Sequence, residues 1–191
     1  MADEEGMIQG LKDQRPVALR EFLEQYQERV YNTALSLVKD SSDAEELAQD
    51  VFLTVWSSIS GFKGESALST WVYRITVSKS LDLIRSRKSK KRFAFLSSLS
   101  SIRNEIKYHP VNWVHPGILQ ENKEKAAYLF TAIDQLPENQ KIAFTLSKLE
   151  QLSQKEIAEV MQINEGAVES LLQRAKQNLR KYLENIYDEL K

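Results

Sequence analysis

Apolar residues recur every three or four positions along most of this chain, and that is the spacing of one face of an α-helix. The clearest stretch runs from Pro16 to Lys39, and its apolar positions are Leu19, Phe22, Leu23, Tyr26, Val30, Ala34 and Val38. Only six glycines and four prolines among 191 residues interrupt such patterns. No stretch alternates polar and apolar residues for long enough to form a sheet. The sequence therefore predicts an all-α protein.

Start signals place several further helices. In a capping box, a Ser and a Glu three residues later satisfy each other's backbone N–H groups. The sequence predicts capping boxes at Ser42 with Glu45 and at Ser153 with Glu156. Pro137 is a favourable first-turn residue. After the first helix, a second one is predicted to begin at Ser42, and a loop with Gly61 and Gly64 follows it. Further helices are predicted at residues 67–88, 137–149, 153–161 and 165–183.

Residues 93–125 differ from the rest because they are rich in Ser and contain Pro110 and Pro116. Such a segment is typical of a linker with little regular structure. The sequence thus predicts two small helical domains, residues 1–92 and residues 126–191, joined by the linker 93–125. The C-terminal domain is predicted to contain a helix-turn-helix.

Composition excludes several classes of function. The chain has no cysteine, so disulfides, thiolate metal sites and a cysteine nucleophile are excluded. Its two histidines, His109 and His115, have no nearby carboxylate pair, so we expect no metal site, no cofactor, no catalytic residue and no enzymatic activity. No apolar run approaches the ~20 residues that span a bilayer. The acidic start lacks the apolar core of a signal peptide, so we expect a cytoplasmic protein without membrane insertion.

Charge is distributed unevenly along the chain. Residues 1–70 carry 6 basic and 13 acidic side chains, whereas residues 71–92 carry 8 basic side chains and one acidic one, Asp82. A basic block this local indicates a polyanion partner. Trp71 and Tyr73 precede the basic residues, and aromatic groups beside cations suit single-stranded or melted DNA. The alternatives are that Trp71 packs in the core and that the basic run is a solvated helix end.

Residues from Gln154 onward fit a helix-turn-helix frame. Ala158 is the small residue at the helix crossing, and the inward apolar positions are Ile157, Met161, Ile163, Val168 and Leu171. The second helix would then present Asn164, Glu165, Glu169, Ser170, Gln173, Arg174 and Gln177 to the major groove. A helical hairpin that binds no DNA is the alternative, since Gln162 replaces the usual turn glycine. Glu165 and Glu169 would also repel phosphates.

The two halves together resemble one family. The segments DAEELAQDVFLTVW, ALSTWVYRITVSKSLDLIRSRK and LPENQKIAFTLSKLEQLSQKEIAEVMQINEGAVESLLQRAKQNLRKYL resemble, in order and spacing, bacterial RNA polymerase sigma factors of the extracytoplasmic-function (ECF) type. The resemblance implies two helical domains, called domain two and domain four, that bind core RNA polymerase and direct promoter-specific transcription initiation. It also implies that the chain catalyses no chemistry itself.

The resemblance assigns roles to particular residues. It implies polymerase binding by Asp43, Glu46, Gln49 and Asp50. It implies minus-ten DNA binding and melting by Phe62, Lys63, Ser66, Trp71, Arg74, Ser78, Lys79, Asp82 and Arg85. It implies minus-thirty-five recognition by Asn164, Glu169, Ser170, Gln173, Arg174 and Gln177. Ser78 stands where relatives often have Asn, and Glu169 and Leu171 stand where many have basic residues, which bears on the promoter recognised.

Partners follow from the same resemblance. Core RNA polymerase and promoter DNA are expected, and an anti-sigma factor is a common partner in the family. The net charge of −1 predicts weak DNA binding by the free chain. Two alternatives stay open at this point. One is a stand-alone helix-turn-helix DNA-binding regulator, and the other is an adaptor that binds polymerase without promoter dependence.

Overall fold

The structure is a computed structural model that describes residues 2–98, 129 and 131–189, with the side chains of residues 4–90, 129 and 131–184. These residues form helices and turns without a strand, as the periodicity predicts. They belong to two units, one on each side of residues 99–128. His109, His115, the two linker prolines and most of the predicted linker lie outside the described residues.

The described residues of the N-terminal unit form four α-helices. They are α1 (Ala2–Lys12), α2 (Pro16–Val38), α3 (Ser41–Ser58) and α4 (Leu68–Ser98), with a 3-10 turn at Ile59–Gly61 after α3. Helices α2, α3 and α4 pack against one another around a common core. Its fully buried side chains include Phe22, Val30, Val51, Val55, Val72 and Tyr73.

Helix α3 begins with a different cap from the predicted one. Asp40 has extended backbone angles, and its Oδ1 accepts a hydrogen bond from the Asp43 N–H at 3.0 Å. The predicted capping box of Ser42 and Glu45 is therefore wrong, because Ser42 already lies inside the helix. An aspartate carboxylate here also interacts favourably with the positive end of the helix dipole.

Helix α1 was not predicted from the sequence. Met7 and Leu11, one helical turn apart, are buried against the rest of the unit. Gly10 faces Ala18 on α2 so closely that a Cβ added to Gly10 would lie 2.6 Å from the Ala18 Cβ. The glycine that weakens the helical signal in the sequence is thus what allows α1 and α2 to approach each other.

Helix α4 is longer than predicted. It has 31 residues and ends at Ser98, ten residues beyond the predicted end at Lys88, so residues 93–98 of the predicted linker are helical. The segment contains no Gly or Pro, and its Lys, Arg, Ala and Leu residues are good helix formers.

The C-terminal unit contains α5 (Glu138–Lys148), α6 (Gln154–Met161) and α7 (Glu165–Glu189), preceded by a helical stretch at residues 131–134. The capping box predicted at the start of α6 is confirmed. The Glu156 N–H donates to Ser153 Oγ at 3.3 Å, and the Ser153 N–H donates to Glu156 Oε2 at 2.8 Å.

The turn between α6 and α7 has helix-turn-helix geometry. Gln162, at the position of the usual glycine, has φ 55° and ψ 45°, which is left-handed backbone. Its N–H and that of Ile163 both donate to the Ala158 carbonyl, as in a tight helix end. Ala158 and Val168 are buried at the crossing of the two helices.

Three of the inward positions predicted in this frame are only half-buried, and they are Met161, Ile163 and Leu171. Leu171 is half-buried, whereas its neighbour Leu172 is buried. The buried face of α7 runs through Val168, Leu172, Ala175 and Leu179, a spacing of four, three and four residues. Leu172 follows this helical period and Leu171 does not.

Candidate nucleic-acid interfaces

The predicted DNA-binding residues of α4 differ in how exposed their side chains are. Ser78, Asp82 and Arg85 are exposed, whereas Arg74 and Lys79 are half-buried. Arg85 Nη1 lies 3.3 Å from Asp82 Oδ1, so these two predicted DNA-binding residues contact each other. Arg87 and Lys88 extend the cationic stretch, and the side chains of Lys91 and Arg92 lie outside the described residues.

Arg74 is a half-buried cation of this helix. Its Nε atom is buried and has no hydrogen-bond partner among the described residues. A buried donor without a partner costs free energy. Because this atom is not accessible, a phosphate could contact Arg74 only through its terminal nitrogens.

The loop that joins α3 to α4, residues 62–67, contains both aromatic and cationic groups. Phe62 is buried, and its ring centroid lies 5.2 Å from that of the half-buried Trp71, with an angle of 44° between the planes. Lys63 is exposed and Ser66 is half-buried. Phe62 and Trp71 thus form the apolar base of the loop, and Lys63 is the most accessible of its predicted DNA-binding side chains.

Tyr73 does not belong to this surface. It is fully buried, and the Arg29 guanidinium lies 5.5 Å from its ring centroid. The prediction that both aromatic residues of this segment accompany the cations is therefore wrong for Tyr73. One of the two rings is partly accessible and the other belongs to the core.

Three of the four residues predicted to bind polymerase are exposed on one face of α3, whereas Asp43 is half-buried. Glu46, Gln49 and Asp50 are exposed at a spacing of three and one residues, and Leu53 continues the same face with 67% of its surface exposed. Gln49 also lines an open groove between α2 and α3, with Tyr31 and Phe52. The face combines carboxylates with apolar surface, which suits a basic protein partner.

Two ion pairs join this acidic helix to the basic one. Asp43 pairs with Arg87, and Asp50 Oδ2 lies 3.9 Å from Lys79 Nζ. Sequence reasoning assigned these residues to two separate partners and did not predict that they contact each other. No local signal could have shown it, because the contacts depend on how α3 and α4 cross.

The outer face of α7 is polar and accessible. Asn164 is the helix cap, since its Oδ1 accepts from the Ala167 N–H at 2.8 Å, and Ser170 Oγ donates to the Gly166 carbonyl at 2.9 Å. The remaining predicted residues on this face are exposed, and they are Glu169, Gln173, Arg174 and Gln177.

Two contacts that the sequence did not indicate stabilise the C-terminal unit. Asn178 Nδ2 on α7 donates to Gln140 Oε1 on α5 at 2.8 Å, so it joins these two helices. The buried Lys141 on α5 pairs with Asp134 at 2.8 Å on the other side of the Pro137 turn. The first contact helps to position the exposed face of α7, and the second joins α5 to the stretch before it.

Within the described ranges, no three His, Asp or Glu side chains converge as metal ligands. No helix within these ranges is long and apolar enough to cross a membrane. The predicted site residues offer cations, amides, carboxylates and the half-buried ring of Trp71.

Comparisons with known proteins agree with this arrangement. A family model described as Sigma-70 region 2 matches residues 22–90, and one described as Sigma-70, region 4 matches residues 126–179. The chain is 28% identical over 166 residues to RNA polymerase sigma-H factor of Pseudomonas aeruginosa, covering 86% of this chain and 85% of that protein. It is 26% identical over 173 residues to ECF RNA polymerase sigma factor SigW of Bacillus subtilis, covering 88% and 90%.

Solved structures show the same fold. The chain is similar to CnrH in its complex with the cytosolic domain of CnrY, with a TM-score of 0.70, 18% identity and coverage of 95% and 97% of the two chains. It is also similar to the sigma factor RpoE from Bartonella quintana in complex with the anti-sigma factor NepR, with a TM-score of 0.67, 21% identity and coverage of 86% and 96%.

A helical unit with a cationic helix, followed by a unit with a helix-turn-helix, defines a class of two-domain transcription factors. Both family models match in the expected order, and the curated relatives align along most of this chain. The chain belongs to the sigma-70 family of RNA polymerase sigma factors and is of the ECF type. Sigma factors of this type direct promoter-specific transcription initiation.

Proposed function

We propose that this chain binds core RNA polymerase through α3 and directs it to a promoter, where α4 and the α3–α4 loop hold the melted minus-ten strand and α7 recognises the minus-thirty-five element. One observation carries the proposal. The cationic surface of α4 and its loop lies in one helical unit, the polar face of α7 lies in the other, and each unit matches its own sigma-70 region.

The face of α7 supports recognition of duplex DNA. A helix whose exposed side chains are Gln, Arg and Glu can form hydrogen bonds with base edges in the major groove. Arg174 can donate two hydrogen bonds to a guanine, Gln173 can pair with an adenine, and Glu169 can accept from a cytosine amino group. Asn164 accepts a hydrogen bond from the Ala167 N–H, and Ser170 donates one to the Gly166 carbonyl. We therefore propose that these two side chains stabilise the start of α7.

The α3–α4 loop and α4 support binding of a melted strand. Lys63 is accessible beside the aromatic pair of Phe62 and Trp71, and the half-buried Arg74 follows Trp71 by three residues on α4. Cations beside an apolar base bind phosphates and unstacked bases together. Duplex DNA would use only the cations, so this surface favours the opened strand.

The acidic face of α3 supports docking on a basic protein surface. Glu46, Gln49 and Asp50 precede the exposed Leu53 by seven, four and three residues, so they share its face of α3. Charged side chains around an apolar centre give orientation and binding energy together. Polymerase binding would then supply the DNA affinity that a chain of net charge −1 lacks, since it raises the effective concentration at the promoter.

Regulation and cellular location complete the proposal. RpoE and CnrH were solved as complexes, the former with an anti-sigma factor, and we infer that this chain is also held inactive by an anti-sigma factor. It acts in the cytoplasm, where the polymerase is, and it has no enzymatic activity or cofactor of its own. A stand-alone helix-turn-helix regulator is not favoured, because the region-2 unit would then have no role.

Run-off transcription tests the proposal. A promoter library is transcribed by core RNA polymerase from the same organism with and without the chain, and specific transcripts should appear only when it is added. Glu46→Lys should abolish them by reversing charge on the docking face. The matched control Glu24→Lys, at an exposed position of α2, should transcribe as the wild type does. Intact core binding without any transcript would indicate an adaptor, and absence of core binding would refute a sigma factor.

A further inference from the structure

Helix α1 and the turn after it contact both ends of the α3–α4 loop. Glu4 Oε1 accepts a hydrogen bond from the backbone N–H of Leu68, the first residue of α4, at 3.3 Å. Gln14 Nε2 donates to the carbonyl of Trp56, in the last turn of α3, at 3.1 Å. The two hydrogen bonds join residues that are 64 and 42 positions apart in the sequence and that bracket the loop.

Apolar packing connects the same elements between these two hydrogen bonds. Helix α1 packs against the 3-10 turn Ile59–Gly61, and Leu11 and Ile59 are both fully buried. The Phe62 N–H donates to the Ile59 carbonyl at 3.0 Å, so the turn leads directly into the loop. The position of α1 therefore determines where the loop leaves α3.

The geometry of Gln14 favours its role as an anchor. It has φ 56°, in left-handed backbone that residues other than glycine rarely adopt. Its side-chain amide also donates to the Leu11 carbonyl at 3.3 Å. The turn that follows α1 thus holds this amide in one orientation toward α3.

Glu4 acts at a helix start. The first N–H groups of an α-helix have no partner within the helix, and a carboxylate there also interacts favourably with the helix dipole. Leu68 is fully buried, so without Glu4 its N–H would lose a partner that water does not easily replace. Trp71 lies one turn further along α4 and contacts Phe62. A shift of the α4 start would therefore move the aromatic base of the loop.

We propose that Glu4 and Gln14 are positioning residues for recognition of the melted minus-ten strand, because they fix both ends of the α3–α4 loop. The proposal rests on the proposed function, which assigns that loop to the opened strand. Neither residue belongs to the sets that the family resemblance assigns to DNA or polymerase. Helix α1 lies outside the residues that the region-2 family model matches, 22–90.

The test measures base discrimination by the reconstituted holoenzyme. The probe is a single-stranded non-template oligonucleotide from a promoter mapped with the wild-type chain. Each minus-ten position of this probe is replaced in turn by an abasic site. The discrimination ratio is the affinity for the intact oligonucleotide divided by the affinity for the abasic one. The variants are Glu4→Ala, Glu4→Gln and Gln14→Ala. Glu5→Ala, on an exposed neighbour in α1, is the matched control for loss of one negative charge.

Glu4→Ala and Gln14→Ala should each lower the discrimination ratio by about fivefold at the minus-ten position where the wild-type ratio is highest. This is the size of effect expected from the loss of one capping hydrogen bond. Glu4→Gln should restore the ratio, since its amide oxygen can still accept from the Leu68 N–H. Glu5→Ala should match the wild type. Binding to core polymerase should be equal in all variants, and a purely structural defect would lower it together with the ratio.

Three results would overturn the inference. These are a wild-type ratio in Glu4→Ala, an equal loss in Glu4→Gln, and a parallel loss of polymerase binding. If the wild-type holoenzyme itself does not discriminate between the base and the abasic site, the assignment of the loop in the proposed function fails, and the inference fails with it. Transcription by the wild-type chain with an unchanged Glu4→Ala ratio would refute only the role of α1.

Discussion

Arg87 on α4 forms an ion pair with Asp43 in the first turn of α3, so a predicted polymerase-binding carboxylate neutralises a cation of the predicted DNA-binding helix. Asp50 and Lys79 repeat the arrangement two turns further along α3 at 3.9 Å. The proposed polymerase docking on α3 and the proposed DNA binding by α4 would therefore draw on charges that are paired with each other in the free chain.

This pairing predicts the behaviour of Asp43→Asn. The substitution removes the partner of Arg87, and each cation made available to a phosphate strengthens binding at low salt. We expect the free chain to bind a short single-stranded oligonucleotide about two- to threefold more tightly, a modest change because partly exposed ion pairs are weak. Fluorescence anisotropy at two salt concentrations measures it.

A matched variant separates the ion pair from net charge. Glu45→Gln removes one negative charge from an exposed position of the same helix and should change affinity much less. The Asp43→Asn effect should disappear in an Arg87→Gln background. An equal gain with Glu45→Gln, or a gain that persists without Arg87, would show that net charge alone is responsible.

The second prediction concerns Arg174 on the exposed face of α7. Arg174→Ala should lower holoenzyme affinity for the minus-thirty-five duplex by about tenfold, since one bidentate contact to a base contributes about 1–3 kcal/mol of discrimination. Arg174→Lys keeps the charge and loses the fork geometry, so it should preserve non-specific binding and lose sequence preference. Competition between the mapped promoter and a scrambled duplex measures both quantities.

Lys176→Ala is the control for this prediction, because it removes an exposed cation of the same helix outside the predicted set. It should weaken binding to both duplexes alike. Equal loss of specificity in Lys176→Ala and Arg174→Ala would contradict direct base recognition by Arg174.

Local pattern was sufficient to predict the helices that bury one apolar face. The end of α2 was predicted within one residue of Val38, and the capping box at Ser153 and the helix-turn-helix crossing at Ala158 are present in the structure. Where two signals competed locally, the sequence could not decide. Asp40 and Ser42 are both good caps, and only the extended backbone at Asp40 shows which one begins α3.

Long-range contacts were beyond prediction for a physical reason. The bond between Glu4 and the Leu68 N–H, like the pairing of Asp43 with Arg87, depends on the angle and offset at which separate helices pack. Neither has a signature within one turn of sequence. The buried state of Tyr73 was missed for the same reason, because only the packing of α2 on α4 distinguishes it from Trp71.

The third prediction tests the close approach of α1 and α2. Gly10→Ala would place a Cβ 2.6 Å from the Ala18 Cβ, so one helix must move. We expect the free energy of unfolding to fall by about 1–3 kcal/mol, the usual effect of overpacking. Gly6→Ala, with nothing within 4 Å of the added Cβ, should raise it by about 0.5–1 kcal/mol, since Ala is the better helix former. Calorimetry of the full chain measures both variants, and the changes in the free energy of unfolding must have opposite signs.

The last prediction concerns pH and Tyr26, a buried residue of α2. Burial raises the pKa of Tyr26 above its usual value of 10.0, and the Glu4 carboxylate raises that pKa further, while Arg29 lowers it. The folded chain thus keeps this proton to higher pH than the unfolded chain does. The corresponding stability is fully present below about pH 10 and is lost as the pH rises through the folded pKa.

Tyr26→Phe should therefore make the free energy of unfolding less dependent on pH above about 10. Glu4→Gln should make the loss of stability smaller, because removing the Glu4 charge brings the folded pKa of Tyr26 closer to the unfolded one. Urea unfolding at several pH values measures both effects. Titration of the tyrosine ring carbons by NMR, with Tyr26 assigned from the Phe variant, measures the pKa directly. A Tyr26 signal that titrates at or below the ordinary value would contradict its burial beside Glu4 and thereby the position of α1 against α2.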